Sequence, residues 1–115
     1  MSIPLSGAEP AASPASRVQS LIDITDALSL IFDEENTALE ARRPYDAASL
    51  QAEKARLAAA YAQSIRDVAA DRAGVSTVEG SLLLRLREIT SVFETRAARQ
   101  RSLLENMENV PPALA

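Results

Sequence analysis

The chain contains no cysteine, no histidine and no tryptophan, only three glycines, and a single lysine, Lys54. Without cysteine there is neither a disulfide framework nor zinc–thiolate chemistry. Without histidine the commonest general base and the commonest metal ligand are both missing. A serine nucleophile would need Lys54 as its base, and no serine is placed to share a site with it. No Gly-rich phosphate loop and no dinucleotide fingerprint occurs. The carboxylate run Asp33-Glu34-Glu35 reads as a solvated helix face, because neighbours on a helix point in different directions and cannot converge on one metal ion. We therefore expect no catalytic residue, no metal site and no cofactor. The protein is not expected to be an enzyme.

Other partners are excluded on charge and hydropathy. The formal net charge is −4, whereas binding a phosphate backbone calls for clustered Lys and Arg, so no nucleic-acid role is expected. No apolar run approaches the roughly 20 residues of a membrane-spanning helix. The N-terminus lacks a basic segment followed by an apolar core, which argues against a signal peptide. The expectation is a soluble, cytoplasmic protein.

What the chain does have is alanine and leucine. Hydrophobic residues make up 47% of it, yet only Phe32, Tyr45, Tyr61 and Phe93 are aromatic, a balance that favours long helices with aliphatic packing. No window shows the sustained alternation of a strand. The expected class is all-α: an antiparallel helical hairpin extended to a three-helix bundle or coiled-coil-like arrangement. Residues 1–16, rich in Pro and Ser, read as a disordered arm, 17–110 as one helical domain, and 111–115 as a frayed tail behind Pro111-Pro112.

A first helix is expected over about 17–43, capped by Ser16. Val18, Leu21, Ile22, Thr25, Leu28, Phe32, Glu35 and Leu39 recur at helical spacing along one face. Asp23, Asp26, Asp33, Glu34 and Glu40 lie opposite, and Arg42 and Arg43 complement the dipole at the C-terminus. Pro44 ends this helix and can open the next, with Asp46 near that N-terminus, so the two fold back on each other. The second helix, about 46–71, buries Leu50, Leu57, Tyr61, Ile65 and Val68. Lys54 lies beside this stripe. It either pairs across the hairpin with Glu35, which is a similar distance from the turn, or snorkels unpaired. Residues 72–80 read as a loop, with Gly74 as a left-handed C′ residue and Ser76 or Thr77 capping the third helix.

That third helix is expected over about 78–109. Leu82, Leu86, Ile89, Phe93, Gln100, Leu103 and Met107 form its periodic face, flanked by Leu83, Leu84, Val92, Ala97, Leu104 and Val110. These exceed what one shared seam requires. The surplus suits a partner helix laid in a groove, a homodimer seam, or a fully buried bundle.

The hairpin residues Glu34-Glu35, Ala38-Leu39, Asp46, Leu50, Lys54, Leu57 and Tyr61 carry a resemblance. Their pattern, a helix ending in an "E..AL" segment, a short Asp-containing turn, then "L...K..L", resembles the FlgN-type flagellar export chaperones. The helical layout of about 18–108 matches that family, and the specific motif covers the hairpin. The turn here reads Arg-Pro-Tyr-Asp where the family has a Gly-Asp-like turn, and the arm before Val18 lies outside the pattern.

The resemblance implies a non-enzymatic chaperone that holds hook–filament junction proteins in the cytoplasm, prevents their premature assembly and delivers them to the export apparatus. It also places client binding on the C-terminal helix, which here means Leu82, Leu86, Ile89, Phe93, Leu103, Leu104 and Met107. The alternative is a self-associating helical adaptor or regulatory protein, homodimeric through the same helix.

Overall fold

A computed structural model describes residues 13–108. It is all-α, with no strand among the described residues: α1 (Pro14–Glu40), α2 (Pro44–Ala48), α3 (Gln51–Ala69), α4 (Arg72–Val75) and α5 (Gly80–Glu108). The central element is α1, which packs against both α3 and α5. The chain folds back from α1 into α3 and returns in α5, giving an up–down–up arrangement of three long helices. Of the arm expected over 1–16, residues 13–16 instead cap and open α1, while residues 1–12 and the tail over 111–115 lie outside the described residues.

The first helix starts earlier than the spacing predicts. Ser13, not Ser16, is the N-cap: its side chain accepts from the Ser16 N–H at 3.1 Å, and Pro14 occupies the first turn, where its missing donor is harmless. The helix also stops earlier, at Glu40 rather than Arg43. Pro44 pushes Arg43 out of helical conformation (φ −116°, ψ 72°), so the chain must leave α1 before it. Arg42 makes the exit at φ 59°, a left-handed conformation. Arg42 N–H then bonds to the Leu39 carbonyl at 3.1 Å and Arg43 N–H to the Ala38 carbonyl at 2.8 Å. That is a Schellman cap with arginine where glycine is usual.

The second predicted helix is interrupted between α2 and α3. The Ser49 hydroxyl donates to the Asp46 carbonyl at 2.8 Å, and the Leu50 N–H bonds instead to Ala47 at 3.2 Å. A side chain competing for a helical carbonyl loosens that turn. Residues 72–80 are likewise not a plain loop. Asp71 caps the one-turn α4 by accepting from the Gly74 N–H at 3.0 Å. Gly74 is helical rather than left-handed, and no described glycine has positive φ. Its small size matters for a different reason: a Cβ there would collide with Asp71 Oδ2 and sit 2.8 Å from Pro14 Cγ. Ser76 and Thr77 donate back to the Ala73 and Gly74 carbonyls, closing α4 rather than capping α5.

Two apolar clusters hold the bundle. Val18, Ile22 and Ile89 are buried at one end, covered by Val75, Val78, Leu82, Leu83 and Leu86. Leu28, Ile31 and Leu57 form the second with Phe32, Leu50, Tyr61 and Phe93 around them. Phe93 meets Phe32 edge-on at 5.2 Å between ring centroids and Tyr61 at 5.6 Å, the separations at which aromatic pairs attract. Each fully buried aliphatic side chain contributes about 1.5–3 kcal/mol before entropy is charged against it.

Candidate functional site

Past the aromatic cluster the interior turns polar. Glu35 is buried on α1, at 3% exposure, and its carboxylate is met from both flanking helices. Lys54 Nζ from α3 lies 3.0 Å from Glu35 Oε1, which settles the choice between a paired and a snorkelling lysine. Gln51 Nε2 donates to Glu35 Oε2, and Gln100 Nε2 from α5 donates to Glu35 Oε1 at 3.1 Å. Gln100 is itself buried; its Oε1 accepts from Lys54 at 2.8 Å, and its amide also reaches Asn36 Oδ1 at 3.3 Å. Lys54 Nζ stands 4.3 Å from the Phe32 ring centroid, adding a cation–π contact. Helical register explains the convergence: Glu35, Lys54 and Gln100 each occupy a position on their helix where the periodic pattern places an apolar side chain. Buried charge is tolerated here because it is paired and hydrogen-bonded.

Grooves open on either side of this layer. The backbones of α3 and α5 both pack on α1 rather than on each other, which leaves space between them. Towards the α4 end this is a groove of about 500 Å³, with Leu21 and Thr25 as floor and Tyr61, Ile65, Val68, Val75, Leu83 and Leu86 among its walls. Ile65 is 41% exposed, large for an isoleucine at a helix–helix boundary. At the opposite end a second groove of about 600 Å³ runs between Leu39, Glu40, Arg42, Arg43 and Pro44 on one side and Leu103, Asn106 and Met107 on the other.

The seven α5 residues expected to form a partner surface do not make one open face. Leu82, Leu86 and Ile89 pack in the first apolar cluster, and Ile89 is buried outright. Phe93 is held between Phe32 and Tyr61. Only Leu86 also reaches the α3–α5 groove. Leu103 and Met107 line the distal groove, and Leu104 is exposed but lines neither. The periodic face is therefore used largely by α1, the neighbour that spacing on α5 alone could not reveal. The residues missed are Leu21, Ile65, Val68 and Leu83 around one groove and Leu39 and Pro44 around the other. Leu83 and Ile65 were visible as apolar positions on their helices, but not as facing each other across a gap.

Comparison with protein-family models, with curated proteins and with solved structures returns no match. The functional reading of this chain therefore rests on its own residues and on the hairpin pattern. Among the described residues no cluster of Asp and Glu could hold a metal ion. No helix among them is long and apolar enough to cross a membrane. The chemistry the grooves offer is apolar contact along a helical length, with hydrogen-bonding groups at the rims.

Proposed function

We propose that this protein is a non-enzymatic helix-binding chaperone of the FlgN type, which holds a helical segment of flagellar hook–filament junction proteins before export. The observation that carries the reading is the groove between α3 and α5. Its lining is mostly apolar and comes from α1, α3, α4 and α5, and it is open along one side. An amphipathic helix presenting apolar residues every three or four positions fits such a groove by the same side-chain packing that joins helices within a bundle. Occupying that helix would remove from solution the surface through which client monomers assemble. The hairpin pattern supports the flagellar context, and the open groove supports assigning the client surface to the α3–α5 cleft rather than to the α5 stripe.

Co-purification of tagged protein with hook–filament junction proteins tests the proposal. Ile65→Asp and Val68→Asp each put a charge into the groove, and neither residue belongs to an apolar cluster. Both should keep wild-type helicity by circular dichroism and lose at least nine-tenths of the captured client, about 1.4 kcal/mol or more in affinity. Phe93→Asp is unsuitable, because it would break the core rather than the groove. Equal capture by wild type and both variants would overturn the assignment. Light scattering that shows a dimer resistant to dilution, with no client captured, would favour the self-associating adaptor.

A further inference from the structure

We infer that the C-terminal half of α5, from about Arg96 onward, is a releasable arm that opens as a unit while the N-terminal half stays docked. The inference does not depend on the client reading.

Its basis is a change in the character of the α1–α5 interface along its length. Before Phe93, α5 is held by apolar packing: Leu82, Leu83, Leu86 and Ile89 in one cluster and Phe93 in the other. After Phe93, no α5 residue belongs to either cluster. What holds this half is polar. Arg96 donates to the Ser29 hydroxyl at 3.1 Å and lies 3.9 Å from Asp33, and its carbonyl accepts from Asn36 at 3.0 Å. Arg99 pairs with Glu40, both about half exposed. Gln100 bonds Glu35, Asn36 and Lys54. The apolar residues further along do not close the seam, because Leu103 and Met107 stand across a groove from Leu39 and Pro44.

Two features make release of this half inexpensive. The polar contacts of this half, from the exposed Arg99–Glu40 pair to the buried Gln100 amide, all regain water as a partner on opening, so the net loss per bond is small. The buried charges also survive it: Glu35 keeps Lys54 and Gln51, which both belong to the hairpin, so no ion is stranded when Gln100 leaves. Few buried apolar contacts are a mark of a segment that opens locally, and beyond Phe93 this half contributes to neither apolar cluster. Ala97 and Ala98, flanking the arm's start, give the hinge region little side chain to unpack.

Hydrogen exchange on the full-length chain tests this. Amides at 97–104 should exchange about thirtyfold faster than those at 83–92, with a step near residues 93–96, as local opening requires. Raising salt from about 0.05 M to about 0.5 M should widen the step by screening the arginine pairs. Arg96→Ala should speed exchange in the arm by about fivefold or more and leave 83–92 within about twofold of wild type. A smooth gradient rising from the C-terminal end would mean simple fraying and would overturn the inference. So would uniform protection along α5, or an equal rise in both halves in Arg96→Ala.

Discussion

Replacing Lys54 with methionine probes the polar layer at its centre. The substitution keeps the aliphatic stem and removes the ammonium, leaving Glu35 buried with only the Gln51 and Gln100 amides as donors. At 3.0 Å, and with an effective dielectric near 20, the lost attraction is about 5 kcal/mol before desolvation is considered. Lys54 retains about a quarter of its side-chain exposure, so water screens part of this, and the remaining amides absorb more. A net loss of about 2–4 kcal/mol results, at the low side of values for breaking a buried pair. For a domain of this size that is a large share of the roughly 5–15 kcal/mol available. Urea denaturation followed at 222 nm measures it as a fall in midpoint at constant slope. The companion is Glu35→Leu with Lys54→Met, which removes both charges and should recover most of the loss, since well-packed apolar pairs often replace buried ion pairs at no cost. A single variant within about 0.5 kcal/mol of wild type, or a double variant that merely sums the two singles, would refute the reasoning.

Other substitutions probe the termini and the corner. Arg42→Gly relieves the left-handed arginine at φ 59° and should raise stability by about 0.5–1 kcal/mol, the lower unfolded-state order of glycine offsetting part of the gain; a loss in thermal denaturation would contradict it. Gly74→Ala forces a methyl against Asp71 and Pro14 and should cost about 1–3 kcal/mol, read from the same denaturation curves, with a neutral result contradicting the close approach. Ser13→Ala removes the N-cap of α1 and should cost about 1 kcal/mol, with faster hydrogen exchange confined to the first turn. The exposed Glu53 carboxyl is held below its usual 4.5 chiefly by the hydrogen bonds from Arg56. Its small contribution is therefore present above the unfolded pKa and lost as pH falls through the folded one. Carboxyl-detected NMR should show Glu53 titrating lower in wild type than in Arg56→Ala.

Much of this architecture was legible in the residues. Pro44 between two apolar-periodic runs specified the hairpin, and the similar distances of Glu35 and Lys54 from that turn put the ion pair within reach. The details that escaped depend on hydrogen bonds that periodicity does not encode. Ser49 looks like any surface serine, yet its hydroxyl takes a backbone acceptor and divides the second helix. Gly74 suggested a left-handed turn by residue type, whereas the structure uses its lack of a side chain to admit Pro14 from a distant part of the chain. The candidate site was only half legible for a related reason. The α5 stripe was visible, but which side of it α1 would cover depends on how three helices share one core. Gln100 carried a signal, a polar residue in an apolar register, whose meaning emerged only with Glu35 and Lys54 beside it.

The functional reading stands or falls on whether the α3–α5 groove takes up a partner's amphipathic helix. Calorimetric titration of the full chain with a peptide spanning the C-terminal helix of a hook–filament junction protein decides it. One-to-one binding is expected, with a negative heat-capacity change as the mark of apolar burial, and that binding should be lost in Ile65→Asp and Val68→Asp. Absence of binding to the wild type, or undiminished binding to both folded variants, would contradict it.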